Sequence, residues 1–560
     1  MRRRTLKIAS IAWIAAVAAG LAIAQLTEPP PSPASLFPQG ALVYAEARDL
    51  KQLLQWWSGS EVKSNWMQTT NYTEFQNSRL YQRLDERLAE FGKGQFAFTL
   101  ENLTEIAGTS SALALYDIGE LRAAAVTRVG FAEATASELW ASRAHLRRKK
   151  VGNQYYYVEP DEGKLAFAFA KPYLVIASEE ALLQDLLKAI ANPAAEGRLT
   201  QSDKWQQLAA GRPQSGGVFS LFLDQENLNT NRYFQNYWLH QNADELKAIQ
   251  AAWIQLELQE GAIVEHRYFL RTDAPGGRPL QGADEYLKPF AAVHRESLIL
   301  SAPANVPDTA AALLRLFNRL PRGEAPAGAP PLYSASVERL SKAEARSAYA
   351  EQIDEPILAP SADQLLHMDQ MDTLQRILAE AQPSARLRFA YPLWDDHALF
   401  VQFPESIAVQ FDHYEALNRQ AFLDSTLDYF RILHSTQDPS SRWIQRGDGN
   451  YRLDSLIPVY VRFQAPWVVV STREQEFQQV VQALPPSATP PLVSYAEFEF
   501  ETARWKYARL MKRLDTGSFS GDSPLFFSDN LNSLVQVSEP VKRATLLRNE
   551  NEEVIRYELK

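Results

Sequence analysis

Two segments of the sequence repeat one pattern, 294 positions apart. Residues Phe169–Ile190 (FAKPYLVIASEEALLQDLLKAI) align with Phe463–Leu484 (FQAPWVVVSTREQEFQQVVQAL), and six of the 22 positions are identical. In each segment a proline and an aromatic residue open a short apolar run, which predicts a strand. A hydroxyl residue, Ser178 or Thr472, then precedes apolar residues at intervals of three and four, which predicts a capped helix. A chain that contains this unit twice is expected to fold as two related modules.

The elements around these segments follow the same order, which supports an internal duplication. Strand, tight turn and strand are predicted within 112–126 and again within 386–403, and each half ends in a predicted hairpin, at 253–270 and 544–559. Tight turns join most of these strands and the helices fall in separate blocks. This pattern predicts an α+β fold in which each duplicated module is a mainly antiparallel sheet with helices packed on one face. We expect Pro172 and Pro466 at a hairpin turn or strand edge.

The first 24 residues have the composition of an export signal. A basic stretch, Met1–Lys7, precedes Ile8–Ala24, an uncharged run of 17 residues that ends in the small-x-small sequence Ala22-Ile23-Ala24. Two interpretations remain open. The segment is either a signal peptide cleaved after Ala24 or a signal anchor, since 17 residues reach the lower limit for a transmembrane helix. Both place the body in the periplasm or cell envelope, and only the anchor would keep it in contact with the membrane, through residues 8–24.

Proline-rich and glycine-rich segments set the expected domain boundaries. Residues 25–35 include TEPPPSPAS and form a stiff spacer, and residues 274–289 begin with APGGRP and form a linker. The first α+β module is expected at 36–273 and the second, as the internal repeat, at 290–560.

Cysteine usage and charge exclude several classes of function. The chain contains no cysteine, so it has no disulfide framework, no thiolate metal site and no cysteine nucleophile. Without the basic first 24 residues, 53 bases stand against 67 acids, a net charge of −14. A body with this charge lacks the basic footprint of a nucleic-acid-binding protein.

Recognisable catalytic patterns are also missing from the sequence. It contains no G-x-S-x-G elbow, Walker loop or G-x-G-x-x-G motif. Asp395-Asp396-His397 resembles a metal site in isolation, but Asp117-Ile118-Gly119 holds the equivalent place in the first half. We therefore predict a hairpin turn there and no metal, because Asp favours turns through hydrogen bonds to its own backbone. No catalytic, metal or cofactor-binding residue is predicted.

Two sets of residues are candidates for binding a partner. Trp56, Trp57, Trp66 and Tyr72 cluster in the first half and could form a binding platform, with core packing or subunit contact as the alternative. The basic run RAHLRRKK, Arg143–Lys150, could meet an acidic partner or lipid headgroups. Its alternative is a solvated helix end or loop, as is usual for an isolated charge run. We expect Glu138–Lys150 to be a basic helix or loop.

A family resemblance rests on three stretches of the first half. Leu36-Phe37-Pro38-x-Gly40 followed by the strand Ala41–Ala47, the segment SALALYDIG at Ser111–Gly119, and the first repeated segment are similar to large exported bacterial proteins. Those proteins carry an N-terminal hydrophobic segment and a domain of uncharacterised function. The resemblance implies export, and it supplies no site residues because the family has no established activity.

Three functions are compatible with these observations. The first is an exported envelope protein that binds or scaffolds a protein or another envelope component without catalysis. The second is an extracytoplasmic hydrolase that uses acidic residues, and the third is a carrier of lipid or another apolar ligand. A flat aromatic patch would favour the first, paired inward carboxylates in a cleft the second, and a deep dry cavity the third.

Overall fold

A computed structural model gives the fold of most of the body. It describes residues 33–69, 72–73, 76–77, 82, 105–160, 165–192, 194–211, 217–231, 247–272, 280, 283–291, 293, 298–318, 368–390, 405–433, 441–454, 458–486, 489–490, 493–501, 504 and 537–560. The export segment with Ala24, the spacer up to residue 32, and the predicted turn at Asp395, Asp396 and His397 lie outside the described residues.

The first half contributes strands and short helices in alternating blocks. Its strands are β1 Val43–Ala47, β2 Ser111–Asp117, β3 Arg122–Arg128, β4 Arg147–Val151, β5 Gln154–Val158, β6 Ala166–Ala170, β7 Tyr173–Ala177, β8 Phe219–Leu223, β9 Ile249–Gln259 and β10 Ala262–Arg271. Its helices are α1 Leu50–Gly59, α2 Glu61–Met67, α3 Phe131–Ala136, α4 Glu138–Ser142, α5 Glu180–Ala191, α6 Asp203–Gly211 and α7 Gln225–Thr230. Short 3-10 helices lie at Pro33–Leu36, Arg143–His145 and Leu199–Gln201.

The second half has longer helices over part of its sheet. Its strands are β11 Leu298–Pro303, β12 Pro383–Ala390, β13 Glu405–Phe411, β14 Arg442–Gly447, β15 Asn450–Asp454, β16 Tyr460–Gln464, β17 Trp467–Ser471, β18 Ser494–Glu499, β19 Val541–Arg548 and β20 Glu552–Leu559. Its helices are α8 Ala283–Leu287, α9 Val306–Asn318, α10 Met368–Ala381, α11 Arg419–Leu433 and α12 Glu474–Ala483, with 3-10 helices at Lys288–Phe290 and Tyr414–Ala416.

All the named strands join one antiparallel sheet. From edge to edge the order is β4-β5-β6-β7-β3-β2-β1-β8-β9-β10-β20-β19-β18-β11-β12-β13-β17-β16-β15-β14. The halves meet where β10 pairs with β20, from Ala262 opposite Glu558 to Tyr268 opposite Glu552. The mixture of helices and antiparallel strands confirms the predicted α+β class.

The expectation that helices cover one face of the sheet is wrong, because both faces are covered. On β7, Val175 shares a core with Leu186 of α5, whereas Leu174 shares a different core with Leu139 of α4. Every residue of β7 and of β17 is buried. A strand buried on both faces has a continuous apolar sequence instead of an alternating one. The runs YLVIA of β7 and WVVVS of β17 therefore indicate, from the sequence alone, strands that are buried on both faces.

Both prolines of the repeated segments lie in hairpin turns, as expected. Pro172 joins β6 to β7 and Pro466 joins β16 to β17, each after a cis peptide bond. The predicted helix caps are wrong. Helix α5 has Glu179 at its N-cap without a side-chain bond, and the hydroxyl of Ser178 accepts from the backbone N–H of Ala123 on β3 at 2.9 Å. Arg473, not Thr472, is the N-cap of α12.

Three further segments differ from expectation. The last residues of the expected spacer, 33–35, belong to the 3-10 helix Pro33–Leu36, whose Pro33 and Ala34 are buried. Glu138–Lys150 was expected as a helix or loop, but only 138–145 is helical and β4 begins at Arg147. Part of the expected linker, 283–287, is helix α8, whose Tyr286 and Leu287 are buried in a core of the second half. Across the described residues, no helix is both long enough and apolar enough to cross a membrane.

Candidate functional site

Three of the four predicted aromatic candidates lie on two small helices that follow β1, and the fourth, Tyr72, lies beyond the end of α2. Asp49 caps α1 by accepting from Gln52 N at 2.9 Å, and Ser60 caps α2. Neither helix contains a fully buried residue, and Trp56 on α1 is 40% exposed. Trp66 on α2 and Tyr72 meet edge to face with ring centroids 6.1 Å apart. The structure thus brings Trp66 and Tyr72 together and places Trp56 and Trp57 on the preceding helix.

A larger group of aromatic rings forms beside the basic run Arg143–Lys150, where the sequence had indicated the bases but not the rings. Phe131 begins α3, and its ring lies 5.2 Å from Phe169 of β6 and 6.2 Å from Trp140 of α4, edge to face in both contacts. Trp140 in turn meets Tyr157 of β5 at 5.7 Å. Tyr155 belongs to the same group as Tyr157, because residues two apart on a strand lie on the same face. Four elements therefore contribute to one aromatic surface.

Basic side chains from the β4–β5 hairpin and from the end of α4 lie over these rings. The guanidinium carbon of Arg148 is 3.8 Å from the ring centroid of Tyr155, and the Lys150 ammonium is 5.5 Å from it. Arg143 lies 5.3 Å from the Trp140 centroid. These distances are typical of cation–π contacts. We define the aromatic–basic patch as the following residues: Phe131, Trp140, Arg143, Arg148, Lys150, Tyr155 and Tyr157.

The patch presents both apolar and charged groups to solvent. Phe131 is 60% exposed and Tyr155 is 49% exposed. Arg143, Arg148 and Lys150 are all exposed. Trp140 and Tyr157 are partly buried and pack against a core that includes Leu139 and Phe167. The patch therefore has a fixed aromatic base and an exposed rim.

Strand alternation sends the other bases of β4 to the opposite face. Lys149 bonds Glu180 of α5 at 2.7 Å, the hydroxyl of Tyr156 donates to the same carboxylate, and the amide of Gln184 donates to that hydroxyl. Hydrogen bonds from Lys149 and then Tyr156 lower the pKa of the Glu180 carboxyl. Lys149 thus belongs to the contact between hairpin and helix, whereas Arg148 and Lys150 belong to the aromatic–basic patch.

The far end of the sheet has a hairpin, β14–β15, whose aromatic residues Trp443 and Tyr451 are partly buried. Helix α11 packs over it, and Trp443 Nε1 donates to the carbonyl of Leu423 on that helix at 2.8 Å. Phe422 of α11 meets Phe463 of β16 edge to face at 5.7 Å. The long helix α11 therefore packs over this end of the sheet, whereas the short helices α3 and α4 cover the other end only in part.

An open pocket of 580 Å³ borders the patch near Pro172. Its lining carries three acids and two bases, namely Asp49, Glu105, Glu133, Lys51 and Arg128. Gly108 also lines it, and a Cβ there would lie 2.0 Å from the carbonyl oxygen of Arg128. The backbone approach that shapes this pocket therefore requires glycine. Charges of both signs in an open pocket suit a polar ligand better than an apolar one.

The described side chains form no cluster that could bind a metal ion. In that part of the chain no three His, Asp or Glu residues lie close enough to hold one ion. The predicted absence of a metal at Asp395–His397 stays a prediction, because those residues lie outside the described ranges.

The sequence analysis proposed the basic run Arg143–Lys150 as a candidate but missed the aromatic half of the patch, although one local signal was present. The bases of β4 and the tyrosines of β5 flank Gly152-Asn153, a two-residue sequence typical of tight hairpins. Gly152 has φ of 55°, as such a turn requires. A hairpin predicted from this turn places Arg148 opposite Tyr157 and Lys150 opposite Tyr155, as the structure shows. Nothing local indicates that Phe131 and Trp140 join them.

Comparisons with known proteins supply little beyond this geometry. No family model and no curated protein sequence matches the chain. Among solved structures, crystal form I of TP0453 is 11% identical and covers 44% of this chain and 80% of that chain, with a TM-score of 0.25. Crystal form III of TP0453 gives 10% identity, coverage of 44% and 82%, and a TM-score of 0.25. Likeness at this level carries no argument about function.

Proposed function

We propose that the protein is an exported component of the cell envelope that acts by binding, without catalysis. Export is supported by the sequence of Met1–Ala24, with its basic start, apolar run and small-x-small end. Binding is carried by a single observation, the aromatic–basic patch, whose Phe131 and Tyr155 rings are exposed to solvent. Exposed aromatic rings beside cations are typical of interaction surfaces, because they offer apolar area and charge together.

We further propose that the two halves are copies of one module. The strand order read from the β4 edge to β10 matches the order read from the β14 edge to β20, when each strand is paired with the one ten numbers later. Both copies of the repeated segment also place their proline in the turn of a hairpin whose second strand is fully buried. Ten equivalent strands in the same order support duplication better than the 22-residue match alone.

The proposal is tested in the native host with a C-terminally tagged full chain. Fractionation should place the protein in the envelope, and the mature N-terminus should be either Gln25, after cleavage, or Met1, for an anchor. Full-length protein in the cytoplasmic fraction would refute export. A photo-crosslinking residue at Tyr155 should give adducts in the envelope, whereas one at the exposed Gln445 of β14 should not. Equal adducts at both positions would refute binding through the patch.

A carrier of apolar ligands is a second candidate, favoured by a different surface. Leu113, Ala45, Leu221 and Ile254 lie in register on four adjacent strands, and Leu258 continues the same face. Leu113 is 49% exposed and Leu258 is 41% exposed. A row of half-exposed aliphatic side chains fits an acyl chain, since it provides apolar contact without hydrogen bonds. Leu221→Asp should abolish binding of a fluorescent fatty acid, and unchanged binding would remove this candidate.

A further inference from the structure

We propose that the aromatic–basic patch docks on a membrane surface that contains anionic lipids. This inference rests on the proposed envelope location and names the partner of the same surface. Phe131 would enter the boundary between headgroups and acyl chains, and Arg143, Arg148 and Lys150 would meet lipid phosphates. Peripheral membrane binding combines buried apolar area with electrostatic attraction in this way.

The arrangement of the side chains fits this role. Phe131 is the most exposed ring of the patch, and it makes edge-to-face contacts with Phe169 and Trp140. Holding a ring in place before binding reduces the entropy lost on insertion. Tyr155 and Trp140 have apolar bodies with polar groups at their tips, which suits the interface between water and lipid. The cations lie over these rings and not deeper in the protein.

Charge complementarity favours an anionic surface. The body has a net charge of −14, so a membrane with negative lipids repels the protein as a whole. Docking therefore requires a local concentration of bases, and Arg143, Arg148 and Lys150 supply it. The exposed carboxylates of Glu133 and Glu138 lie on α3 and α4 and oppose binding, although Glu133 already accepts from Gly130 N at 3.1 Å. We therefore expect binding to be weak at high salt.

A planar partner explains the patch better than an acidic peptide does. A peptide could add to the edge of β4 by backbone hydrogen bonds, with the bases of that strand beside it. Such a strand would run along β4 and would leave Phe131 of α3 and Trp140 of α4 outside the contact. A bilayer surface covers side chains from α3, α4, β4 and β5 together. The membrane surface therefore accounts for the exposed Phe131, which edge pairing leaves unexplained.

The absence of native cysteine allows a local probe in the full chain. Phe131→Cys, labelled with an environment-sensitive fluorophore, is mixed with vesicles of phosphatidylcholine and phosphatidylglycerol at 7:3. We expect a blue shift and at least a twofold rise in emission, and much less with phosphatidylcholine alone. Gln445→Cys, labelled in the same way on β14, should not respond. Because the signal is local, insertion of the N-terminal segment does not mimic it.

Charge reversal provides the matched comparison. Arg148→Glu with Lys150→Glu should lower the vesicle partition coefficient measured by the probe by about 30-fold or more, since each base near an anionic surface contributes about fivefold. Arg442→Glu with Arg446→Glu makes the same change in net charge on exposed residues of β14. That control should lower the partition coefficient by no more than about threefold.

Several results would overturn the proposal. They are an unchanged probe at position 131 with anionic vesicles, an equal response with phosphatidylcholine alone, or equal losses from the two charge reversals. A response to a poly-glutamate peptide but not to vesicles would instead assign the surface to an acidic peptide. If any of these occurs while the chain still fractionates with the envelope, the docking inference alone fails. Cytoplasmic full-length protein would overturn the proposed function itself.

Discussion

The junction between the halves, formed by backbone pairing of β10 with β20, also includes the charged side chain of Arg267, whose removal should loosen the sheet at that point. Arg267 of β10 bonds Glu265 of its own strand at 2.6 Å and Glu553 of β20 at 3.2 Å. Arg548 of β19 bonds Glu553 from the other side at 3.2 Å. The side chains of Glu265 and Glu553 are only 14% and 11% exposed. Arg267→Met would leave two poorly solvated carboxylates on diagonal positions of one face.

The size of the effect follows from this partial burial. A solvent-exposed ion pair contributes about 0–1 kcal/mol, whereas removing one partner of a buried pair costs about 3–5 kcal/mol. Arg267 is 34% exposed and Glu553 keeps Arg548, so the local opening free energy should fall by about 2–3 kcal/mol. That loss corresponds to an equilibrium constant for local opening that is about 30-fold to 150-fold larger.

Amide hydrogen exchange measures this opening directly. Peptides that cover residues 262–271 and 552–559 of Arg267→Met should exchange faster by the stated factor, because exchange reports the free energy of local opening. The matched control is Arg556→Met on β20, whose side chain is 42% exposed and bonds Gln259 at 2.8 Å. It should accelerate exchange by less than about fivefold. If both variants exchange alike, Arg267 does not hold the junction and the reasoning is wrong.

Three further predictions test the cores, the pocket and the pH response. Leu186→Ala should destabilise α5 by about 2–5 kcal/mol because Leu186 is fully buried, and the exposed Lys188→Ala should change its hydrogen exchange by less than about 0.5 kcal/mol. Gly108→Ala should lower the melting temperature, since its Cβ would lie 2.0 Å from the Arg128 carbonyl; an unchanged melting curve would contradict that clash. The pKa of Glu180 is lowered in the folded protein, so its stabilisation is present above the unfolded-state value of 4.5 and is lost as pH falls through the folded value. Glu180→Gln should therefore lower stability at pH 7 and flatten its loss below pH 4.5 in acid titrations, and parallel curves for both proteins would exclude this role.

The repeated segments were predicted well because their signal is local. Continuous apolar runs gave β7 and β17, and three-and-four spacing gave α5 and α12. The caps failed because Ser178 has a competing partner, the Ala123 N–H of a neighbouring strand. No sequence rule weighs a distant backbone donor against the helix. The sequence YLVIA of β7 also indicated that both faces of the sheet are covered, because its residues do not alternate in polarity.

The site was harder to predict because it depends on contacts between distant residues. Four consecutive bases depress strand propensity, so β4 was expected as helix or loop. Phe131 and Phe169 are neighbours only because α3 folds over β6. The predicted platform at Trp56, Trp57, Trp66 and Tyr72 rested on clustering in the sequence, which does not reveal which rings meet. Exposure of Phe131 is likewise a tertiary property, since an apolar residue at the start of a helix is more often buried.

A comparison of the two edge strands, β4 and β14, distinguishes two roles of exposed basic side chains, which are protection of the sheet edge and binding of a partner. An open sheet presents unpaired backbone groups at its edges, and charged residues on edge strands discourage pairing with another chain. Arg148 and Lys150 on β4, and Arg442 and Arg446 on β14, all fit that protective role. Protection requires charge but not exposed aromatic rings. At the β14 edge Trp443 and Tyr451 are partly buried and pack against the core that includes Phe422 of α11, whereas at the β4 edge Tyr155 remains 49% exposed beneath Arg148. Bases at both edges are therefore explained by protection, and the exposed rings at one edge are what point to a partner.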